Sequence, residues 1–338
     1  MNINIINRKQ YISVIFLFFL FFLITITITP LIGSVQIDLG NAFSRDLAFN
    51  DNVDANILFL ARIPRIILAA LTGAALSVAG AILQSLLRND LAAPFTLGVS
   101  SGAALGAVIA ISLGLPYSIA GIPTVPIAAF LGSLGAISLV FSLARTRTGD
   151  FPTPILLLAG VTANFFFAAL VMLIHYLSDF TQSFRIVRWL MGGLDITSYK
   201  TLLSISPMIF IGFAVLIFYG RDFNVMSTGI QSAMSRGVEV IKVQKIGFIM
   251  ASLLTGTVVS LSGPIGFVGL IVPHIVRLIV GPDLRILLPA SIFFGASFLI
   301  ICDTLARTLI APTEIPVGII TAMLGGPFFV WLLKRPKS

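Results

Sequence analysis

Few side chains in this sequence have the type and spacing to do chemistry, and the clearest group is a set of arginines. Arg62 and Arg65 flank Pro64 in a segment otherwise rich in acid, and Arg307 lies far along the chain, close to Asp303. A guanidinium group suits bidentate contact with a carboxylate, so these arginines could receive acidic groups of a partner. The alternative is that their stems lie along lipid while the charged heads reach water.

Other reactive groups are sparse. His175 and His274 are the only histidines, and their separation gives no helical pair that could hold haem or a metal. Cys302 is the single cysteine and cannot form an intramolecular disulfide. The chain contains no GxxxxGK(S/T) nucleotide loop, and no apolar run carries the central carboxylate that an ion-coupled transporter generally needs. We therefore expect no catalytic residue, no metal site and no cofactor.

The elements that must position these side chains are membrane-spanning helices. Hydrophobic residues make up 57% of the chain and charged residues 10%, with a mean hydropathy of +1.07, whereas a soluble domain has about 25% charged residues. Apolar runs of spanning length alternate with turn and charge clusters. We predict an all-α polytopic membrane protein, a single domain over residues 1–338 with about ten transmembrane helices. The predicted spans are 11–33, 63–87, 95–113, 123–144, 154–177, 201–219, 246–261, 264–280, 286–302 and 316–333.

The distribution of charge predicts the orientation of these spans. One set of alternate loops carries most of the 21 Lys and Arg residues, so the positive-inside rule places both termini in the cytoplasm. The basic pI of about 10.1 is then a consequence of topology, and no nucleic-acid partner is expected.

A short pattern of small residues occurs twice. LTGAALSVAG at 71–80 and LTGTVVSLSG at 254–263 share Leu, Thr, Gly, Ser and Gly. The small residues of each copy fall on one helix face, where another helix can approach closely; they are Gly73, Ser77 and Gly80, and Gly256, Ser260 and Gly263. Because the two spans cross the bilayer in opposite directions, the pattern favours an inverted repeat with halves of roughly 62–200 and 245–334. The alternative is generic small-residue packing.

Fragments along most of the chain resemble one family. They are RIPR at 62–65, GAILQSLLRNDLAAPFTLGVSSGA at 80–103, LLLAGV at 156–161, WLMGGL at 189–194, GPIGFVGLIVPHIVR at 263–277, DTLAR at 303–307 and EIPVGIITAMLGGPFFVWLL at 314–333. Their order and spacing resemble the FecCD/BtuC-type permeases of binding-protein-dependent ABC importers for iron-siderophores, haem and cobalamin.

The resemblance implies a transport subunit that is not itself an enzyme. Its implied partners are a second permease copy or close paralogue, two cytoplasmic ATPase subunits, an extracytoplasmic solute-binding protein, and the lipid of the bacterial plasma (inner) membrane. An iron-siderophore is the first choice of substrate, with cobalamin or haem close behind. An ion-coupled secondary transporter and a non-transporting membrane scaffold remain as alternatives.

The resemblance also assigns contact residues at both membrane surfaces. Arg62, Arg65 and Arg307 are expected to dock the binding protein. The segment 221–245 is expected to be a cytoplasmic coupling element in which recurring small residues form a face for the ATPase, a solvated loop being the alternative. Its candidate contact residues are Thr228, Gly229, Ser232, Ala233, Arg236 and Gly237.

The last implied features are a gate and a pathway. Asn89 and Leu91, with Thr153 and Pro154, are expected to form the inner gate, unless Asn89 only ends a helix. The family's usual Asn-Pro-Leu-Ala reads Asn89-Asp90-Leu91-Ala92 here, and we expect Asp90 to replace the proline by capping a following turn. Gly160, Thr162 and Asn164 are candidates to line the pathway, although Asn164 could equally be packing glue. His274 and Arg277 could help seat the ATPase, or His274 could be a buried, satisfied side chain.

Overall fold

The structure, a computed structural model, describes residues 8–44, 51–116, 118–119, 122–145, 152–195 and 198–334. The two chain ends, predicted to be cytoplasmic, lie outside these residues. The helices are α1 Arg8–Ile28, α2 Leu39–Ala42, α3 Val53–Asn56, α4 Ile63–Leu87, α5 Val99–Ser112, α6 Thr124–Ala144, α7 Thr153–Leu177, α8 Phe180–Leu190, α9 Tyr199–Phe218, α10 Gly220–Ser227, α11 Ile230–Ser235, α12 Val240–Ser262, α13 Val268–Val280, α14 Leu284–Thr308 and α15 Val317–Lys334. A π-helical stretch, Ile57–Arg62, joins α3 to α4, short 3-10 turns occupy Thr29–Leu31 and Pro94–Leu97, and a two-residue antiparallel hairpin pairs Ser118–Ile119 with Ile122–Pro123.

The prediction of an all-α polytopic membrane protein is confirmed. In the described part of the chain, 7 helices are long and apolar enough to cross a membrane, and three shorter apolar helices, α5, α13 and α15, accompany them. Each predicted span falls on one of these helices, but several boundaries were wrong. Helix α14 continues to Thr308, so Asp303 and Arg307 lie inside it, and α12 already begins at Val240. The amphipathic helix α8 was not predicted.

Helix α4 lies at the centre of the bundle, with almost every side chain buried. Gly73 packs against Gly295 of α14, and a Cβ atom at Gly73 would overlap the carbonyl oxygen of Gly295. Ser77 donates its hydroxyl to the Gly73 carbonyl at 2.6 Å, which satisfies the hydroxyl within α4. Gly80 approaches Gly269 of α13 equally closely. Small residues permit this backbone contact, which in a membrane is a main source of helix association.

Helix α12 makes the corresponding contact with another helix. Gly256 packs against Ser133 of α6, and the rings of Phe248 and Phe141 lie 6.0 Å apart, further along the same two helices. Ser260 bonds back to the Thr257 carbonyl at 2.8 Å. Gly263 ends α12 with a positive φ of 65° and lies against the Trp189 carbonyl, a backbone conformation and a closeness that favour glycine.

The contacts also show how the helices run. Arg65 at the start of α4 meets Asp303 near the end of α14, so these helices are antiparallel. Gly247 near the start of α12 lies against Leu86 near the end of α4, so α12 is antiparallel to α4. The bundle therefore has two ends: we call the one with Arg62, Arg65 and Arg307 the arginine end, and the one where α4 stops at Arg88 the Arg88 end.

Candidate functional site

The arginine end is built around one buried carboxylate. Asp303 has only 1% of its side chain exposed and lies between Arg65, whose Nη2 is 3.0 Å from Oδ1, and Arg307, whose Nε is 3.1 Å from Oδ2. A carboxylate in such surroundings is stable only while charged donors surround it. Asp303 thus holds both guanidinium groups in place.

Backbone carbonyls take up much of the remaining arginine surface. Arg62 donates to the carbonyl oxygens of Pro30, at 2.7 Å, and Val35. Arg307 donates to the Ile32 carbonyl at 3.4 Å. Both side chains are buried, with residue exposures of 6% and 5%. These bonds hold the segment that follows α1 against the start of α4 and the end of α14. Sequence reasoning missed this structural role.

Arg65 differs from the other two arginines because it also pairs with an exposed carboxylate, that of Glu314. Arg65 Nη1 is 2.7 Å from Oε2 of Glu314, whose side chain is 47% exposed. Glu314 was visible in the EIPVG fragment, but nothing in the sequence paired it with Arg65.

At the Arg88 end, α10 packs against the end of α4, and α11 packs against α10 and α12. Arg88 leaves α4 in a left-handed conformation, φ 48°, and donates to the Met226 carbonyl at 2.7 Å. The predicted smooth face of the coupling element was wrong. Ala233 is fully buried, and Gly229 and Gly237 have positive φ values of 146° and 79° and lie outside α11, so the three do not share a helix face.

The surface that α11 does expose is apolar and basic. Ile230 is 45% and Met234 55% exposed, while Thr228 and Arg236 are exposed and Ser232 is half-buried. Beside Met234 lies an open groove of about 670 Å³ that continues along the start of α12 past Lys242 to Ile249.

A tight turn follows α4 at this end. The Ala92 N–H donates to the Asn89 carbonyl at 3.0 Å, and the Leu91 N–H donates to Asn89 Oδ1 at 2.9 Å. The predicted capping role of Asp90 was wrong: Asn89 caps the turn, and Asp90 instead forms an ion pair with Arg277 of α13 at 2.7 Å. Leu91 is 50% exposed at the tip of the turn.

Helix α7 presents its predicted pathway residues in different directions. Gly160 is buried against the backbone of Thr96 and Leu97. Asn164 accepts from Ser101 Oγ at 2.6 Å and donates to the Phe95 carbonyl at 2.8 Å, which is the packing alternative. Thr162 is exposed.

The other gate candidates lie where α7 begins. Thr153 and Pro154 are its first two residues, half-buried and exposed respectively. Because α6 ends at the Arg88 end, α7 starts there too, so both pairs of gate candidates share one end of the bundle.

Two further groups complete the electrostatics of the Arg88 end. Asp283 caps α14 and is partly buried; burial disfavours its charged form, but hydrogen bonds from Arg285 and Asn224 outweigh this and hold the pKa of Asp283 below its usual value. His274 packs edge-on against Phe328 at 5.9 Å. Its Nε2 is buried, as the alternative of a buried, satisfied histidine expects. None of the described residues donates to or accepts from this nitrogen, so it is not satisfied. Among the described residues, no group of three or more His, Cys, Asp or Glu side chains could hold a metal ion.

Comparison with known proteins decides what this bundle is. The family model described as the FecCD transport family matches residues 19–335. The chain belongs to the FecCD transport family.

Members of the FecCD family with named roles cover most of this chain. The hemin transport system permease protein HmuU of Yersinia pestis is 38% identical over 94% of this chain and 95% of its own. The cobalamin import system permease protein BtuC of Halobacterium salinarum is 44% identical over 81% of this chain and 72% of its own. The solved structure of a metal-chelate type ABC transporter in an inward-facing conformation matches 96% of this FecCD chain over the whole of its own length. The TM-score is 0.82 and the sequence identity 30%. This chain is accordingly a multi-pass permease subunit of the ABC importer type and not itself an enzyme.

Proposed function

We propose that this permease moves a metal chelate through the plasma (inner) membrane of a bacterium into the cytoplasm. An iron-siderophore is the first candidate, because iron chelates dominate the family, and haem and cobalamin are the alternatives named by its relatives. The observation that carries the proposal is the separation of two contact surfaces: Glu314 with Arg65 at one end of α4, and α10 with α11 at the other. A transport subunit that binds one partner on each side of a membrane needs two contact surfaces at opposite ends.

The distribution of charge supports an assignment of the two ends to opposite sides of the membrane. The Arg88 end gathers basic residues from the ends of several helices; they include Arg88, Arg221, Arg236, Lys242, Lys245, Arg277 and Arg285. The positive-inside rule makes this end cytoplasmic. We propose that the start of α1 and the end of α15 are cytoplasmic as well, and the arginine end then faces outward.

Reciprocal packing supports ten spanning helices arranged as an inverted repeat. Gly73 and Gly256 are equivalent positions of the repeated pattern, and they pack against α14 and α6 respectively, each antiparallel to its partner. Because α4 and α12 are also antiparallel, a two-fold axis in the membrane plane would exchange the two pairs. Transporters with this symmetry place the substrate route between their halves or copies, so α7, with Thr162 on its exposed face, is our candidate wall of a pathway shared with a second permease copy.

Docking of the binding protein belongs at the arginine end, with Arg65 as its contact and Glu314 as the carboxylate that an incoming acidic group would replace. Charge reversal at Arg62 is a poor test, since it would place a carboxylate against two backbone carbonyls and destabilise the fold. A cysteine at Glu314 should crosslink to the solute-binding protein that delivers the chelate, whereas one at Ser232, at the opposite end, should not. Equal crosslinking at both positions would contradict the assignment of ends.

The ATPase belongs on the exposed face of α11. We expect M234C and S232C to crosslink to the ATPase, with M234C reacting more because its side chain is more exposed, and A233C not to react because its position is buried. Reaction at Ala233 but not at Met234 would contradict this contact face.

The function itself is tested by reconstitution. Vesicles containing the permease, its ATPase and its binding protein should take up one of a ferric siderophore, haem or cobalamin only when ATP is present on the ATPase side. Uptake by the permease without the ATPase would instead indicate an ion-coupled secondary transporter. No flux of any of the three chelates with the complete set of partners would favour a membrane scaffold.

A further inference from the structure

The turn formed by residues 89–92 is anchored at its two ends and exposed at its tip. The Asn89 N–H donates to the Gln84 carbonyl of α4 at 3.1 Å, and Ala92 is buried with 1% exposure. Asp90 and Leu91 lie exposed between these ends, and the hydrogen bonds from Leu91 and Ala92 to Asn89 are local. A contact at the tip would therefore restrict where Leu91 lies.

Asp90 supplies such a contact. Its Oδ1 is 2.7 Å from Arg277 Nη1, and Arg277 Nη2 donates to Oε1 of Gln84 at 2.9 Å. Gln84 is 2% exposed and directs its amide toward the carbonyls of Gly269 and Leu270, at 3.3 and 3.5 Å. Arg277 is thus braced by a buried side chain of α4 while it holds the turn.

The position of Asp90 within the turn explains why a proline can stand there. Asn89 is the first residue of the turn and accepts from the fourth, Ala92, so Asp90 occupies the second position, which proline favours because its ring presets φ. Proline restricts the turn through its backbone. An ion pair from the same position can restrict it through the side chain.

We propose that Asp90 and Arg277 are positioning residues that pin the gate turn to α13 and to Gln84 of α4, in place of a proline. This inference rests on the proposed function only in treating Leu91 as a gate residue; the pin itself is a property of the isolated permease. Breaking the ion pair should loosen Leu91 without unfolding the bundle, because the side chain of Asp90 is 67% exposed.

The test uses a cysteine at Leu91 in a C302A background, in membrane vesicles with the Arg88 end outward. We measure the rate at which a membrane-impermeant maleimide modifies this cysteine. D90N and R277Q should each raise the rate about 1.5- to fivefold, the range for losing a partly exposed ion pair. D90P should keep the slow rate because it restores backbone restriction without charge. E239Q, which removes the exposed partner of Lys242 at the same end, is the matched control and should leave the rate unchanged.

Two results would overturn the pin. One is an unchanged rate in D90N, which is expected to fold because only an exposed charge is lost. The other is a D90P rate as fast as that of D90N, which would mean that restriction of the turn is not what the ion pair provides. Labelling needs no ATPase or binding protein, so a negative result here is distinct from a failure of wild-type uptake, which would count against the transport function.

Discussion

The buried carboxylate of Asp303 is where a single change should weaken the arginine end most. D303N keeps the shape of the side chain but removes the counter-ion of Arg307 and leaves Arg65 with Glu314 alone. The side chains of Asp303 and Arg307 are 1% and 6% exposed, so solvent screens the loss very little. Breaking a buried pair from one side costs about 3–5 kcal/mol. The amide oxygen of the asparagine can still accept from Arg65, but its NH2 group would face the Arg307 Nε–H, and the loss of that hydrogen bond between charged groups accounts for about 1.5–3 kcal/mol of the total.

The assay for this loss is unfolding of the purified permease in mixed detergent micelles of increasing SDS fraction, followed by tryptophan fluorescence. E314Q is the matched control, because it removes the outer partner of the same Arg65 from a side chain that is 47% exposed, where a pair is worth about 1 kcal/mol or less. We expect D303N to lose several times more stability than E314Q. Equal losses would refute the reasoning, since the buried and exposed partners of Arg65 would then count alike.

Three further predictions concern packing and pH. G73A should destabilise by about 1–3 kcal/mol because its methyl group would overlap the backbone of α14, whereas G135A, with open space around it, should be neutral or stabilising; SDS unfolding compares them. N164A should cost about 1–2 kcal/mol through its two cross-helix bonds, and T162V, whose hydroxyl bonds only within α7, less than about 0.5 kcal/mol. The pKa of Asp283 is lower in the folded protein than in the unfolded chain. The charged carboxylate therefore stabilises the fold above about pH 4, and this stabilisation is lost as the pH falls through the folded pKa. The difference in unfolding free energy between wild type and D283N should shrink between pH 7 and pH 3, and a constant difference would contradict the prediction.

The sequence predicted the helices well because their signal is local. An apolar run of spanning length has few alternatives in a bilayer, and the Gly73 and Gly256 patterns indicate close-packed faces through helical spacing alone. The partner of each face was not predictable, since Gly295 and Ser133 belong to helices with no distinctive pattern of their own. The boundaries of α12 and α14 were misjudged because Lys242, Asp303 and Arg307 were read as loop residues, whereas pairing lets such side chains remain within a helix.

The burial of Arg62 and Arg307 shows a second limit of sequence reasoning. Their acceptors are the carbonyls of Pro30, Ile32 and Val35, and every residue carries a carbonyl, so no pattern marks these as partners. The bonds exist only because the segment after α1 folds back over α4 and α14. The prediction that the three arginines share one surface agrees with their places in the structure, but it could not show that Arg65 alone among them also pairs with the exposed Glu314.

The two ends of the bundle differ in how strongly they are held, and the difference bears on how the permease moves. The arginine end has exposed ion pairs of its own, Arg188–Asp195 and Arg65–Glu314. There, however, Asp303 also binds two arginines out of solvent, and loss of either buried pair carries a penalty of several kcal/mol. At the Arg88 end, the ion pairs Asp90–Arg277, Glu239–Lys242 and Asp283–Arg285 each have at least one side chain more than half exposed, so each is worth about 1 kcal/mol or less. The turns beside them depend on positive φ values at Gly229 and Gly237. Local opening begins where the contacts are weakest, and the ATPase contact that we propose at α11 lies at that end. The arginine end, held as one unit, would then serve as the fixed part against which the gate turn moves.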